Sequence, residues 1–173
     1  MESQVKDLIK EALDSYASGD SDSVMFHTDD REVFLYVRPE YISAKTFLSI
    51  GDSSAEFEVT HYNVHPNSIS ETIQTAVMHR EIMRACINNL ESKGWSMSVY
   101  RPFFYKGIAV ERDGEKALLT GLTSASITIE GDGFEAVVED LQQSGVLRDR
   151  RFTASREFFL SKATINAAVN ALD

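Results

Sequence analysis

The sequence predicts an α+β fold: a single domain over residues 1–173, with mostly antiparallel sheet packed on a long central helix, an N-terminal helix and two C-terminal helices. Three observations lead there. Over residues 69–92 apolar residues recur at helical spacing, with Ile69, Ala76, Met83, Ile87 and Leu90 on one stripe at 100° per residue. On both sides of that segment the period changes from 3.6 to two. Short turns rich in Gly and Asp join the alternating runs, as in antiparallel hairpins.

The elements follow in order. Residues 2–17 place Val5, Leu8, Ile9, Ala12, Leu13 and Tyr16 on one helix face, and Ser18-Gly19-Asp20-Ser21-Asp22 ends it. A strand meander is expected over 23–27, then 32–37 after the Asp29-Asp30-Arg31 turn, 45–50, and 55–64 after Gly51-Asp52. Val33, Leu35 and Val37 share a face. Ala55, Phe57 and Val59 alternate with Glu56, Glu58 and Thr60, as in a sheet wet on one side. His65-Pro66-Asn67 then breaks the strand, and Ser68-Ile69-Ser70-Glu71 fits the Ser-x-x-Glu capping box at a helix start. Ile73, Val77, Cys86 and His79 flank the apolar stripe of this helix, while Ile82 and Met78 lie off it and offer a second, smaller apolar contact. Lys93-Gly94 ends the helix, the glycine supplying the left-handed backbone of the cap.

A second antiparallel unit follows over 95–101, 107–112 and 115–120, its last two strands joined by the hairpin pair Asp113-Gly114. Residues 125–129 read as a further strand, 134–143 as a short helix ended by Ser144-Gly145, and 154–172 as a last helix after an arginine-rich connector. No repeat of fixed period interrupts this order.

Composition bounds the function. With 173 residues, 43% hydrophobic and 25% charged, the chain is long enough to bury a sizeable core. No apolar run approaches the ~20 residues of a membrane span, and the start, Met1-Glu2-Ser3-Gln4-Val5-Lys6-Asp7, lacks the basic end and apolar centre of a signal peptide. One cysteine excludes an internal disulfide and suits a reducing cytoplasm. The net charge of −10 is uneven: residues 1–66 hold 13 acids against 5 bases, whereas residues 146–173 hold 3 against 5. Such a body repels phosphate, which argues against direct binding of nucleic acid or of an anionic membrane.

Each candidate chemistry meets a physical objection. His61 and His65 have zinc spacing for a helix, but on a strand their Cα atoms stand about 13 Å apart, too far to share an ion. His79 and Cys86 are two helical turns apart, about 10.5 Å along the axis, and belong to the packing of the long helix rather than to a nucleophilic pair. Gly131-Asp132-Gly133-Phe134-Glu135-Ala136 has the form of a dinucleotide fingerprint. Yet Glu130, Asp132 and Glu135 put negative charge where a pyrophosphate would sit, and Asp132 with Glu135 reads better as a capping box. The carboxylate pairs Asp29/Asp30 and Glu56/Glu58 look solvated, and for these pairs and Glu139/Asp140 no convergent pocket is legible. No nucleophile elbow or Walker loop is present, so no catalytic, cofactor or metal residue is assigned and the chain leans away from enzymes.

What remains are surfaces suited to another protein chain, including a second copy. Arg148, Arg150 and Arg151 with Arg156 form the densest cationic group, whose guanidinium forks match carboxylates and phosphates. Phe103, Phe104 and Tyr105 form an aromatic segment, and Arg80 and Arg84 sit one turn apart at the border of the long helix's buried face. These residues, with strand edges, make a non-enzymatic binding or assembly module the leading expectation. The alternatives are an acidic mimic of nucleic acid that inhibits a DNA- or RNA-binding protein, and an enzyme with a dispersed site. In its order of helix, antiparallel strands, helix, strands and helix, the chain is also similar to bacterial secretion chaperones, a likeness of topology that no residue motif carries.

Overall fold

Alternation and turn chemistry produce two antiparallel sheets. The computed structural model describes residues 7, 10, 11, 14, 24–28, 32–38, 40–62, 64–101, 107–148 and 156–172. Four strands, β1 (Val24–Thr28), β2 (Val33–Val37), β3 (Ile42–Ile50) and β4 (Ser53–His61), lie in sheet order β1-β2-β3-β4. Helix α1 (Pro66–Ser92) comes next, then β5 (Ser96–Tyr100), β6 (Gly107–Arg112), β7 (Glu115–Thr120) and β8 (Ser126–Glu130). Helix α2 (Phe134–Gln143), strand β9 (Glu157–Phe159) and helix α3 (Lys162–Asn170) complete the order, and β5 to β9 form a second sheet in chain order. The α+β class with antiparallel sheets is therefore observed. The expected helix over 2–17 falls for the most part outside the described residues; Asp7, Lys10, Glu11 and Asp14 are helical and exposed.

The chain divides into two compact units, Met1–Phe47 with Glu56–Val77, and Leu48–Ala55 with Met78–Asp173. The boundary falls within α1. The expected central helix thus serves as two half-helices, one in each unit, rather than as a single platform for all the strands. In the first unit the inward face of the sheet, Val33, Leu35, Val37, Ile42, Ala44 and Thr46, is buried, as are Ile69, Thr72, Ile73, Ala76 and Val77 of α1. In the second unit the core holds Met83, Cys86, Ile87 and Leu90 of α1 together with Trp95, Ile108, Val110, Leu119, Ile127, Ile129, Val138, Leu141 and Phe158. Ile82, off the main stripe, is also fully buried, so α1 is covered on more than one side at that point.

The start of α1 differs from the expected box. Pro66 occupies the first helical position, where a missing N–H costs nothing. The cap is His65, whose Nδ1 accepts from the Asn67 N–H at 3.2 Å, while Ser68 Oγ accepts from the His65 N–H at 2.9 Å. The reciprocal pair is therefore His65 with Ser68, three residues upstream of Ser68 with Glu71. At the other end Gly94 (φ 88°) closes a Schellman motif, with Trp95 N–H donating to Leu90 O at 3.1 Å and Gly94 N–H to Glu91 O at 3.1 Å. The hairpin pair Asp113 (φ 53°) and Gly114 (φ 83°) has both residues left-handed, as that turn demands.

Two expectations in the C-terminal third are corrected. Gly133, not Asp132, is the N-cap of α2, and no side chain caps that end. Gly131 and Gly133 are there because α2 begins hard against β7: Gly133 N–H donates to Lys116 O at 2.8 Å, and a Cβ on Gly131 would meet that same oxygen at 2.7 Å. Of the helix expected over 154–172, residues 154 and 155 lie outside the described residues, and from 156 onward the chain forms β9 followed by α3. Left-handed Arg156 (φ 56°) cannot sit inside a helix, Phe158 and Leu160 are buried in strand alternation with half-buried Glu157 and exposed Phe159, and β9 pairs with β8 through Ser126↔Phe159, Ile127↔Phe158 and Thr128↔Glu157. Helix begins only at Ser161, whose Oγ accepts from the Thr164 N–H at 3.2 Å.

Candidate functional site: an aromatic face on the first sheet

Once Val33, Leu35 and Val37 point into the core, the intervening residues of β2 must point out, and they are Phe34 and Tyr36. Strand β3 repeats the pattern, with Ile42, Ala44 and Thr46 inward and Ser43, Lys45 and Phe47 outward. Cross-strand register aligns them: His27 opposes Phe34, which opposes Lys45, and Tyr36 opposes Ser43. The result is an aromatic outer face where a solvated sheet would carry polar side chains. His27 stacks on Phe34 at 4.5 Å between ring centres, and Phe34 meets Phe47 edge-on at 6.0 Å. Tyr36 and Tyr41 lie 6.3 Å apart, and Tyr41 meets Tyr62 at 6.4 Å. Phe34, Phe47 and Tyr62 are 39%, 37% and 80% exposed, so a row of rings faces solvent.

A groove of about 450 Å³ runs over this face, lined by Phe34, Tyr36, Tyr41, Ser43, Lys45, Phe47 and Glu58. That size and an aromatic lining with a few polar groups are what ligand sites have. Lys45 Nζ stands 3.1 Å from Glu56 and 3.8 Å from Glu58. The hydrogen bond to Glu56 is the main cause holding the Lys45 pKa above its ordinary value, against the smaller effect of burial. Glu58 Oε1 accepts from Ser43 Oγ at 3.1 Å, and the carboxylate side chain remains 40% exposed. Beside the groove, Arg38 donates from Nε to Tyr36 Oη at 3.1 Å and sits 5.2 Å from the Tyr36 ring centre and 5.9 Å from that of Tyr41. The tyrosines raise its pKa, the hydrogen bond to Tyr36 first.

The residues singled out from sequence lie elsewhere. Arg80 falls three turns after Ile69 on the same line of α1 and is buried, not at the border of the buried face. It shares the Glu81 carboxylate, at 3.4 Å, with the more exposed Arg84 at 3.6 Å. Arg148 donates to Leu160 O at 3.0 Å and lies over the Phe159 ring at 5.7 Å, and Arg156 covers the Phe134 ring at 3.8 Å. These contacts brace the second unit from within. Arg150, Arg151, Phe103, Phe104 and Tyr105 lie outside the described residues.

Two further sequence candidates find their roles in packing. Asp140 accepts from the Trp95 indole at 2.8 Å and from Arg112 at 2.8 Å, with the Arg112 guanidinium 4.4 Å from the Trp95 ring centre. Cys86 is buried completely, its pKa pushed up to about 12 by desolvation. The face on the first sheet has its sequence signal in residues 33–37, Val-Phe-Leu-Tyr-Val, which are apolar at every position, so whichever face is buried leaves large apolar residues on the other. Among the described residues no cluster of His, Cys, Asp or Glu is arranged for a metal ion, and no helix is long and apolar enough to cross a membrane. No protein-family model, curated protein or solved structure matches the chain.

Proposed function

We propose that this protein is a non-enzymatic binding module that engages another protein chain through the outer face of its first sheet, as a subunit or adaptor in a cytoplasmic assembly. The observation that carries the proposal is a groove lined by exposed Phe34 and Phe47 and half-buried Tyr41, with exposed Tyr62 against Tyr41. Aromatic side chains are enriched where protein surfaces meet, since they bury a large area at small entropic cost. Strand edges extend the same surface: β1 and β4 flank the face, and β4 is nine residues long. The arginines of the connector enter this proposal less strongly than the rings, because Arg148 and Arg156 already cover phenyl groups of their own chain.

The test is affinity capture with the full chain and with a Phe34→Ser, Phe47→Ser double variant whose folding is verified by its urea midpoint. A partner held by the parent chain and released by the variant is the expected result. Capture of the same partners by both proteins would remove this face from the function.

A further inference from the structure

The aromatic face also carries a charge asymmetry that selects among partners. Lys45 is drawn toward Glu56, at 3.1 Å, more closely than toward Glu58, at 3.8 Å. Glu58, which accepts from Ser43 Oγ, thus keeps a 40% exposed carboxylate on a wall shared with the rings of Phe34, Tyr36, Tyr41 and Phe47 and with Ser43 and Lys45. The negative faces of these rings attract cations, and the molecule already uses two of them so: Tyr36 and Tyr41 hold the Arg38 guanidinium, which is not among the groove's lining residues. The chain as a whole carries net negative charge, with 13 acids against 5 bases over residues 1–66 and −10 in total.

We propose that the groove receives an arginine side chain from a segment of another polypeptide, its guanidinium stacked among the four rings and paired with the Glu58 carboxylate. This rests on the reading of the face as a protein-binding surface and names what that surface binds. A guanidinium suits both walls, since it forks onto a carboxylate and stacks flat on a ring. Two other occupants fit less well. A second copy of the chain brings another −10 charge, and a nucleic acid brings phosphates into the same field.

The probe is a twelve-residue peptide with one central arginine in a Gly/Ser frame, compared with its citrulline counterpart, which keeps the shape and loses the charge. NMR titration of the full chain is expected to move the ring resonances of Phe34, Tyr36, Tyr41 and Phe47 with the arginine peptide, with at least fivefold weaker response to citrulline. Glu58→Gln should weaken the arginine peptide by a similar factor and leave citrulline binding unchanged, whereas Glu135→Gln on α2, in the other unit, should alter neither. Equal response to arginine and citrulline, shifts away from these rings, or tighter binding of a single-stranded oligonucleotide at the same rings would overturn the arginine assignment. Loss of a captured partner in the Phe34→Ser, Phe47→Ser variant alongside equal peptide responses would leave the protein-binding face standing without its arginine.

Discussion

His79 and Cys86 lie seven residues apart on one helix, and burial favours the neutral form of each. For Cys86 it pushes the thiol pKa up to about 12, so the nucleophilic thiolate is scarce at neutral pH. The folded protein should leave Cys86 unmodified by a thiol reagent at pH 8 while the urea-unfolded chain reacts fully; rapid labelling of the native state would contradict its burial. For His79 desolvation lowers the pKa from the ordinary 6.5. The folded state therefore keeps it neutral while the unfolded chain takes up a proton near pH 6.5, so this contribution to stability is present above 6.5 and is lost as pH falls toward the lower folded value. Urea midpoints measured on both sides of pH 6.5 should fall with acidity in the parent chain and fall less in His79→Gln. Cys86 was legible as a packing group, because its position beside an apolar stripe depends only on helical period. Asp140 was not, since its partners Trp95 and Arg112 are 45 and 28 residues away. Asp140→Asn should cost about 2 kcal/mol, as hydrogen bonds to a charged group do, with a shift in emission from Trp95, the only tryptophan.

Among the elements, hairpins and helix ends were the most legible parts, because a turn or a cap is decided within a few residues. Asp113-Gly114, Lys93-Gly94 and Ser144-Gly145 all stand where their chemistry placed them, Gly145 (φ 79°) closing α2 through Val146 N–H to Leu141 O at 2.9 Å. Gly131 and Gly133 show the limit of that reasoning. Their spacing resembles a phosphate loop, yet their reason is a strand, β7, that lies beneath them. Gly131→Ala adds a Cβ against Lys116 O at a left-handed position (φ 105°) and should destabilise the fold by about 1–3 kcal/mol in urea denaturation. Strand β9 shows the same limit. The local sequence around Phe158 fits either period, and pairing with β8, some thirty residues earlier, decides between them. Phe158→Ala, in a fully buried position, should cost about 3–5 kcal/mol, whereas Phe34→Ser on the outer face should cost far less; similar losses at both would mean that the aromatic face is core.

For the molecule as a whole, charge is the property that needs no structure. A chain of −10 should fail to retard duplex DNA in a gel at physiological ionic strength, and retardation would contradict the field expected of it. The sequence by itself determined the α+β class, the antiparallel hairpins, the extent of the long helix to within a few residues, and the burial of Cys86. All of these follow from interactions between residues close in the chain. Tertiary structure decided the rest: that α1 is shared between two compact units, that Arg80 is buried, and that His27, Phe34, Tyr36, Phe47 and Glu58 meet on one surface. Those five residues come from four strands and become neighbours only through cross-strand register. Once one face of each strand is committed to the core, its remaining side chains must project outward, and only the pairing of β1 to β4 places rings beside rings and a carboxylate among them.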